Sequence, residues 1–327
     1  MFTQDDKKRA GVNMEKRKLG RGGPELTVVG FGAWAIGGPW LYGWGAVDDE
    51  VSAGAIRKAL DLGINWIDTA AVYGLGHSEE VVGKTIAGMR DKVFLATKCG
   101  MIWDDRRNVK IHLGPKSVRK EVEDSLKRLR TDYIDLYQFH WPDPETPVEE
   151  SWQVMAELKK EGKVKYIGVC NFNVPLLSRC ASVAPVQSLQ PPYSLVMQEV
   201  AMEILPYCLQ NGIGVVAYSP MMSGLLTGKF NMQRLAEDDW RRKDKKFQEP
   251  LLSKELALVE NLRPIAAKYD KPVGNLAVAW VNMNPAITSS IVGARAVRQV
   301  EENVGGDFRI DEADMQTIER LYKETIG

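Results

Sequence analysis

The stretch YIDLYQFHWPDPETPVEESWQVMAELKKEGKVKYIGVCN, residues 133–171, places an amphipathic segment between two apolar runs. In the middle segment, Val148, Trp152, Met155 and Leu158 recur at helical spacing and fall on one face. The flanking runs are apolar without strict alternation, which predicts strands that are buried on both faces. Parallel neighbours need a crossover connection, usually a helix, so this stretch predicts one parallel unit of strand, helix and strand.

The helix predicted in this stretch has recognisable ends. Thr146 is a candidate N-cap residue, and Pro147 suits the first helical position because its missing N–H is not needed there. Glu149 stands where it can complete a capping box with Thr146. Gly162 follows the last charged turn and predicts the end of the helix. The segment SVRKEVEDSLKRLR, residues 117–130, shows the same division into an apolar and a charged face.

The alternation of strand and helix continues over most of the chain. Eight strand candidates follow one another in this order: VVGFGAW, NWIDT, VFLATK, YIDLYQF, YIGVCN, VQSLQ, GVVAYS and ITSSIVG. Eight units predict a closed (β/α)8 TIM barrel of the α/β class. An open doubly wound sheet is the alternative, but it leaves two edges and usually carries a clearer dinucleotide fingerprint.

Segments outside the repeat complete the predicted architecture. KRKLG and LTVVG, separated by RGGPE, predict an N-terminal β-hairpin that caps the bottom of the barrel. DEADMQTIERLYKE predicts an extra C-terminal helix. We assign residues 1–14 to a polar N-terminal extension and residues 15–327 to a single barrel domain. The charged segment at residues 231–250 is interpreted as a solvated loop before the seventh helix.

Composition excludes several classes of partner. The chain has 43 basic and 43 acidic residues, so its formal net charge of zero offers no electrostatic footprint for nucleic acid or for an anionic membrane. No apolar run reaches the eighteen or so residues of a membrane helix, and the N-terminus shows no signal-peptide core. The four cysteines are far apart and form no CxxC motif. We therefore expect a cytoplasmic protein that binds neither nucleic acid nor membrane.

Polar side chains follow most of the predicted strands, at the end where a barrel of this type carries its site. Three titratable side chains lie at strand ends: Asp68, Lys98 and His140. A fourth, Tyr73, follows Asp68 closely. A lysine ammonium near a tyrosine favours the phenolate and lowers its pKa from about 10. Asp68 would keep Lys98 charged and in place, and His140 would orient a substrate oxygen. This set suits proton delivery to a carbonyl, with Tyr73 as the acid.

The chain resembles the aldo-keto reductases, which are NAD(P)(H)-dependent carbonyl reductases on a (β/α)8 barrel. The resemblance covers roughly residues 16–310 and rests on DTAAVYG, ATKCG, LYQFHWPDP, GVCNF, AYSPMMSGLLTGK and IVGARAVRQVEEN, in that order. It implies a catalytic tetrad, matched here by Asp68, Tyr73, Lys98 and His140. It also implies a small-molecule carbonyl substrate, reduced to an alcohol by hydride from a nicotinamide. Monomer and homo-oligomer both remain open.

The resemblance further implies which residues bind the cofactor. Asn171 and Gln190 would hold the carboxamide while Tyr218 stacks on the nicotinamide ring. The remaining positions are Ser219, Met221, Gly224 and Leu225 along the pyrophosphate, and Gly293, Arg295, Gln299, Glu302 and Asn303 toward the adenosine. The family's common Lys-Ser pair for the 2′-phosphate is absent, which leaves Arg295 as the candidate. Gln299 stands where many members have an arginine, which weakens stacking on adenine. We expect NADPH to be preferred and NADH to bind more weakly.

Aromatic residues after the strands predict an apolar substrate pocket with few polar contacts. We assign Trp34, Trp103 and Trp141 to it, and Trp40, Tyr42 and Trp44 follow strands as well. Three histidines without HExxH or HxH do not make a zinc site, so no metal is expected. Two other functions stay open. One is that of a cofactor-sensing regulatory subunit, because some regulatory subunits resemble the same family. The other is that of a Schiff-base aldolase that uses Lys98.

Overall fold

The computed structural model describes residues 14–327, and the polar extension assigned to residues 1–14 lies outside the described residues except for Met14, which is buried. The strands are β1 (Lys16–Lys18), β2 (Glu25–Thr27), β3 (Val29–Gly32), β4 (Trp66–Asp68), β5 (Phe94–Cys99), β6 (Met101–Trp103), β7 (Val109–Ile111), β8 (Ile134–Phe139), β9 (Val164–Cys170), β10 (Ser188–Gln190), β11 (Gly214–Ala217) and β12 (Ile287–Gly293). Eight of them, β3, β4, β5 and β8 to β12, pair in parallel and close into a barrel in chain order. The predicted (β/α)8 barrel is confirmed.

Helices occupy the connections between the barrel strands. They are α1 (Asp49–Asp61), α2 (His77–Thr85), α3 (Pro115–Leu129), α4 (Val148–Lys160), α5 (Val174–Val183), α6 (Ile204–Asn211), α7 (Leu251–Lys268), α8 (Val273–Met283), α9 (Val297–Asn303) and α10 (Glu312–Thr325). The last of them, α10, contacts α7 outside the repeat, as expected for the extra C-terminal helix. Two helices, α7 and α8, connect β11 to β12. The sequence pattern did not separate these two helices.

The N-terminal hairpin closes the bottom of the barrel. Strands β1 and β2 pair antiparallel, with Arg17 opposite Leu26. Leu19 and Leu26 are buried and pack with Trp66 inside the barrel. The Trp66 ring needs the backbone of β3 close to it, because a Cβ on Gly30 would lie 2.1 Å from the indole. Apolar burial at this end leaves the polar strand ends at the opposite mouth.

Helix α4 confirms the predicted apolar face but not the predicted cap. Val148, Trp152, Met155 and Leu158 are all buried against the barrel. The Thr146 hydroxyl donates to Asp143 Oδ2 at 2.7 Å, and no side chain caps the first turn. The predicted capping box is therefore wrong, because the nearby carboxylate of Asp143 competes for the hydroxyl.

The interpretation of residues 231–250 as a solvated loop holds only in part, because most of the segment is exposed but some of it packs. This segment contains three short 3₁₀ turns, and Arg241 and Phe247 in it are buried. It packs over the mouth of the barrel, where its Trp240 meets the aromatic residues that follow β3. A second element that the pattern missed is the antiparallel hairpin of β6 and β7, which extends from the end of β5.

No helix within residues 14–327 is long and apolar enough to cross a membrane. The four cysteines, Cys99, Cys170, Cys180 and Cys208, are free and buried. They behave as small core side chains, and no disulfide joins any of them within residues 14–327.

Candidate active site

The carboxyl ends of the barrel strands bring the predicted polar residues to one mouth. Asp68 is the last residue of β4, Lys98 lies near the end of β5, and Gln190 ends β10. His140, Asn171 and Tyr218 directly follow β8, β9 and β11. Tyr73 lies in the loop after β4. Residues that are far apart in the sequence therefore meet because parallel strands end at the same edge.

Lys98 is the centre of the hydrogen-bond network. Its Nζ donates to Asp68 Oδ1 at 2.6 Å, to the carbonyl oxygen of Thr69 at 2.9 Å and to the hydroxyl of Tyr73 at 3.3 Å. Lys98 and Asp68 are both almost fully buried. Three acceptors match the three protons of an ammonium, so the lysine has no hydrogen-bonding capacity to spare.

The electrostatics of the pair keep Lys98 charged. Burial lowers the pKa of Lys98 and is the largest single effect, but the Asp68 carboxylate and smaller effects of neighbouring groups together outweigh it, and the net result is a raised pKa. Burial also raises the pKa of Tyr73 to about 12, although the Lys98 ammonium acts in the opposite direction. The lysine therefore lowers the tyrosine pKa as expected, but burial outweighs this effect, so the pKa of Tyr73 lies above its ordinary value. The Tyr73 hydroxyl is protonated at neutral pH and is available as a donor.

Contacts on the outer side of the barrel hold β5, the strand that carries Lys98. Side chains alternate along a strand, so Thr97 points outward to the helices while Lys98 points into the barrel. Its hydroxyl donates to Glu79 Oε1 at 2.5 Å, and Arg128 Nε donates to Glu79 Oε2 at 2.6 Å. Glu79 is completely buried and lies on α2, while Arg128 lies on α3. This ion pair ties two helices to β5 directly behind the lysine.

A close backbone approach positions Tyr73. Gly74 has a φ of +64°, and a Cβ at this residue would lie 1.7 Å from the carbonyl oxygen of Gly37. Only glycine allows both the left-handed conformation and this contact. The loop after β4 therefore packs against the loop after β3, which explains the glycine that follows the tyrosine in the sequence.

His140 stands beside the tyrosine. The two ring centroids are 5.7 Å apart in an edge-on arrangement, and the His140 backbone N–H donates to the Cys99 carbonyl at 2.9 Å. Burial, with the Lys98 ammonium as a second cause, holds the pKa of His140 well below its usual range. The imidazole is therefore neutral and carries one N–H donor and one acceptor.

The three residues predicted to hold the nicotinamide are linked to one another and to the tetrad. Gln190 Nε2 donates to Asp68 Oδ2 at 2.9 Å, and the Tyr218 hydroxyl donates to Asn171 Oδ1 at 3.0 Å. Asn171 Nδ2 donates to the carbonyl oxygen of His140 at 3.1 Å. These contacts orient the amides at the strand ends. Asp68 has one oxygen on the lysine and one on the glutamine.

A cavity of about 850 Å³ extends from the tetrad across the mouth of the barrel. Most of the predicted site residues line it: Trp34, Asp68, Tyr73, His140, Trp141, Asn171, Gln190, Tyr218, Ser219, Met221, Gly224, Gly293, Arg295, Gln299, Glu302 and Asn303. Lys98 lies beneath it, in contact with Tyr73. Leu225 and Trp103 are not among its lining residues: Leu225 is fully buried, and Trp103 lies on β6 beneath the guanidinium of Arg128.

The far end of the cavity, at the start of α9, is rich in charge. Arg295 Nη1 donates to the Trp44 carbonyl at 3.0 Å, and the Arg295 backbone N–H donates to Gln299 Oε1 at 2.7 Å. Glu302 accepts from Lys229 at 3.2 Å and pairs with Arg298 at 3.2 Å. Sequence reasoning did not single out the last two cations. Arg298 is one helical turn from Glu302, and this i,i+4 spacing could have predicted their ion pair from the sequence.

An aromatic cluster covers the middle of the cavity. Trp34, Trp44 and Trp240 meet with ring centroids 5.3 to 6.1 Å apart. The Arg241 guanidinium lies 4.5 Å from the Trp44 ring and donates to the Ser223 carbonyl at 2.9 Å. A single tryptophan within the charged segment 231–250 was the available sequence signal for this contact.

Comparison with known proteins identifies the family. A sequence model of the Aldo/keto reductase family matches residues 28–323. The chain belongs to the aldo/keto reductase family. It is 42% identical over 320 residues to the aldo-keto reductase YhdN of Bacillus subtilis, covering 96% of this chain and 95% of that protein. It is 35% identical over 327 residues to the NADH-specific methylglyoxal reductase of Escherichia coli, covering 94% and 98%.

A solved structure agrees with this assignment. The glycerol dehydrogenase AKR11B4 from Gluconobacter oxydans superposes with a TM-score of 0.87 at 38% identity, and 95% of each chain is covered. This aldo-keto reductase is therefore an NAD(P)H-dependent oxidoreductase of small-molecule carbonyl compounds on a (β/α)8 barrel. Among residues 14–327, no group of three or more His, Cys, Asp or Glu side chains is arranged to hold a metal ion.

Proposed function

We propose that this aldo-keto reductase reduces aldehydes and ketones to alcohols, with Tyr73 as the general acid. The observation that carries the proposal is the 3.3 Å contact between Lys98 Nζ and the Tyr73 hydroxyl at the lining of the cavity. A hydroxyl that is protonated in the resting protein and lies next to a fixed positive charge can release its proton to a developing alkoxide. The charge then stabilises the phenolate that remains.

The other tetrad members prepare this transfer. Asp68 keeps the Lys98 ammonium charged, because its carboxylate raises the lysine pKa against the effect of burial. His140 is neutral, so its ring N–H can donate to the carbonyl oxygen without competing as an acid. Two donors at one oxygen orient the carbonyl and stabilise the negative charge that develops there.

The residues around the cavity fit a nicotinamide cofactor. Amide side chains of Asn171 and Gln190 lie at the tetrad end, and cationic side chains lie at the other end. Between them, Ser219, Ser223 and Gly224 have positive φ values in a loop that lines the cavity, and positive φ values are typical of anion-binding nests. When bound, the reduced nicotinamide would supply the hydride. The protein would hold its carboxamide through Asn171 and Gln190.

We further propose that NADPH is preferred to NADH. The support is a cluster of cations at the far end of the cavity, formed by Arg295, Arg298 and Lys229, in which Glu302 is the counter-ion of Arg298 and Lys229. A 2′-phosphate gains charge-assisted hydrogen bonds from such groups, and a 2′-hydroxyl does not. The Escherichia coli relative is named as NADH-specific, so relatives within this family differ in the choice.

Small oxygenated carbonyl compounds are the proposed substrates. Two relatives are named for methylglyoxal and for glycerol, and the aromatic lining around Tyr73 leaves room for few polar contacts. A Schiff-base aldolase would need a neutral lysine amine as its nucleophile. The Asp68 carboxylate opposes this requirement by raising the pKa of Lys98.

The substitution Tyr73→Phe tests the proposed acid. It keeps the ring and removes the hydroxyl, so we expect carbonyl reduction to fall by roughly 10²- to 10⁴-fold, as for loss of a general acid. Cofactor affinity, measured by quenching of tryptophan fluorescence, should stay nearly unchanged. Tyr207→Phe on α6 makes the same chemical change away from the cavity and should retain full turnover. Near-normal reduction by Tyr73→Phe would refute the assignment.

A further inference from the structure

A buried carboxylate outside the tetrad contacts the end of β5. Glu121 lies on α3 and is 9% exposed. Its Oε2 accepts from the Gly100 backbone N–H at 2.8 Å, and its Oε1 accepts from the Ser117 hydroxyl at 3.0 Å. Each carboxylate oxygen therefore has its own donor. This arrangement suits the ionised form of Glu121, because an ionised carboxylate only accepts hydrogen bonds.

The peptide unit that Glu121 binds is also the one that holds His140. The Gly100 N–H and the Cys99 carbonyl belong to one peptide unit, and they point in opposite directions because the unit is planar and trans. The Cys99 carbonyl accepts from the His140 backbone N–H at 2.9 Å. An ionised acceptor at the N–H polarises the peptide unit and makes its carbonyl a stronger acceptor. Glu121 is thus linked to His140 through a single peptide unit.

The backbone on both sides of this link is fixed. Gly100 has a φ of +86°, and a Cβ at this residue would lie 2.2 Å from Leu113 Cδ2, so only glycine allows the conformation. The carbonyl oxygen of His140 accepts from Asn171 Nδ2 at 3.1 Å. The backbone of His140 is therefore held at its C=O by the candidate nicotinamide site and at its N–H by the peptide unit bound to Glu121.

The surroundings of Glu121 place its change of charge near neutral pH. Burial raises the pKa of Glu121 to about 7, against the effect of its two donors and of Arg128 on α3, and Glu79 on α2 adds to the rise. Glu79 and Arg128 form an ion pair with each other. The Cys99 thiol on β5 and the Tyr137 hydroxyl on β8 also face this carboxylate, and burial raises the pKa of both well above their usual values.

We propose that Glu121 is a positioning residue for His140: its carboxylate holds the Cys99–Gly100 peptide unit, and this peptide unit places the imidazole beside Tyr73. The ionised form holds the peptide unit more firmly than the protonated form, because charge-assisted hydrogen bonds are the stronger ones. The contribution of Glu121 to carbonyl reduction is therefore present at alkaline pH and is lost as the carboxylate takes up its proton. This inference rests on the proposed role of His140 in carbonyl reduction.

The test uses Glu121→Gln, which has the shape of the protonated acid and cannot ionise. We measure kcat/KM for methylglyoxal at saturating NADPH and divide the wild-type value by that of the variant, which cancels the pH effects that both enzymes share. The ratio should be close to one at about pH 5.5 and rise to about tenfold at about pH 8.5, because only the wild type gains a charge-assisted hydrogen bond. The midpoint should lie near pH 7.

Glu255→Gln on α7 is the matched control. Burial raises the pKa of Glu255 to about 7 as well, but Glu255 is not among the residues that line the cavity. The ratio of wild type to this variant should stay near one at every pH. The melting temperature of Glu121→Gln at about pH 8.5 should be no lower than that of the wild type, because the neutral amide avoids the cost of burying a charge.

The backbone amide of His140 provides a second measurement that needs neither turnover nor a variant. In NMR spectra of the wild type, its proton resonance should move downfield with a midpoint near pH 7, as the Cys99 carbonyl becomes the stronger acceptor. A kinetic ratio that does not change with pH, or a His140 amide that does not respond, would overturn the role of Glu121 while leaving the reductase activity intact. Failure of the wild type to reduce any carbonyl with either cofactor would instead refute the proposed function.

Discussion

At the scale of single residues, the site depends on a buried ion pair with every polar atom assigned. Asp68 accepts from Lys98 with one oxygen and from Gln190 with the other, and both charged residues are almost inaccessible to solvent. Two opposite charges compensate each other here, but neither can be removed alone without leaving a buried charge. The Asp68–Lys98 pair therefore stabilises the fold at the mouth of the barrel and also keeps a positive charge beside the Tyr73 hydroxyl.

These two roles can be separated by mutation. Lys98→Met leaves the Asp68 carboxylate buried without its cation, so we expect a loss of about 3 to 5 kcal/mol in the free energy of unfolding. Turnover should also be lost, because Tyr73 no longer has a positive charge beside its hydroxyl. Denaturant unfolding and carbonyl reduction measure the two effects.

The double variant Asp68→Asn/Lys98→Met is the matched control. An asparagine carries no charge and can still pair with Gln190, so most of the lost stability should return. Turnover should not return, since the positive charge next to Tyr73 is still missing. Recovery of activity together with stability would show that the lysine acts only as a structural partner of the aspartate.

At the scale of secondary structure, the strand ends could be read from the sequence and the covering segments could not. Most barrel strands change from apolar to polar residues at their carboxyl ends, and this local change located Asp68, Lys98 and His140. The conformation of residues 231–250 depends instead on contacts with the loop after β3, which is distant in the sequence. Propensity and charge pattern contain no information about such a contact, so the packed part of this largely exposed segment was not predicted.

Trp240 should determine the order of this cover. Its ring meets Trp34, Trp44 and Phe247, whereas the eight barrel strands do not depend on it. We expect Trp240→Ala to speed proteinase K cleavage within residues 231–250 at least tenfold, while thermal unfolding of the barrel changes little. Peptide mapping by mass spectrometry locates the cut. Lys243→Ala, an exposed change in the same segment, should leave the cleavage rate unaltered; equal rates for both variants would contradict the packing role.

At the scale of the whole molecule, one cavity joins two different chemistries. Its tetrad end is built around the buried, paired Asp68 and Lys98, and its other end from exposed charges at the start of α9. The formal net charge is zero, and the cation cluster of Arg295, Arg298 and Lys229 is a local concentration of positive charge that contains the counter-ion Glu302. The resemblance to the family predicted Arg295, but the pairing of the other two cations with Glu302 depends on three-dimensional contacts.

The exposed end should control the choice between NADPH and NADH without affecting the fold. Arg295→Ala removes a guanidinium that can pair with a 2′-phosphate, and a hydrogen bond to a charged group is worth about 1.5 to 3 kcal/mol, so NADPH should bind roughly ten- to hundredfold more weakly. NADH affinity should change much less, and the melting temperature should stay the same because the side chain is exposed. Raising the salt concentration should reduce the preference of the wild type for NADPH, since an exposed phosphate contact is screened.

Arg320→Ala on α10 removes an exposed arginine away from the cavity and should change neither dissociation constant. Equal weakening of both cofactors in Arg295→Ala would instead assign the arginine to holding the loop at Trp44, to whose carbonyl it donates.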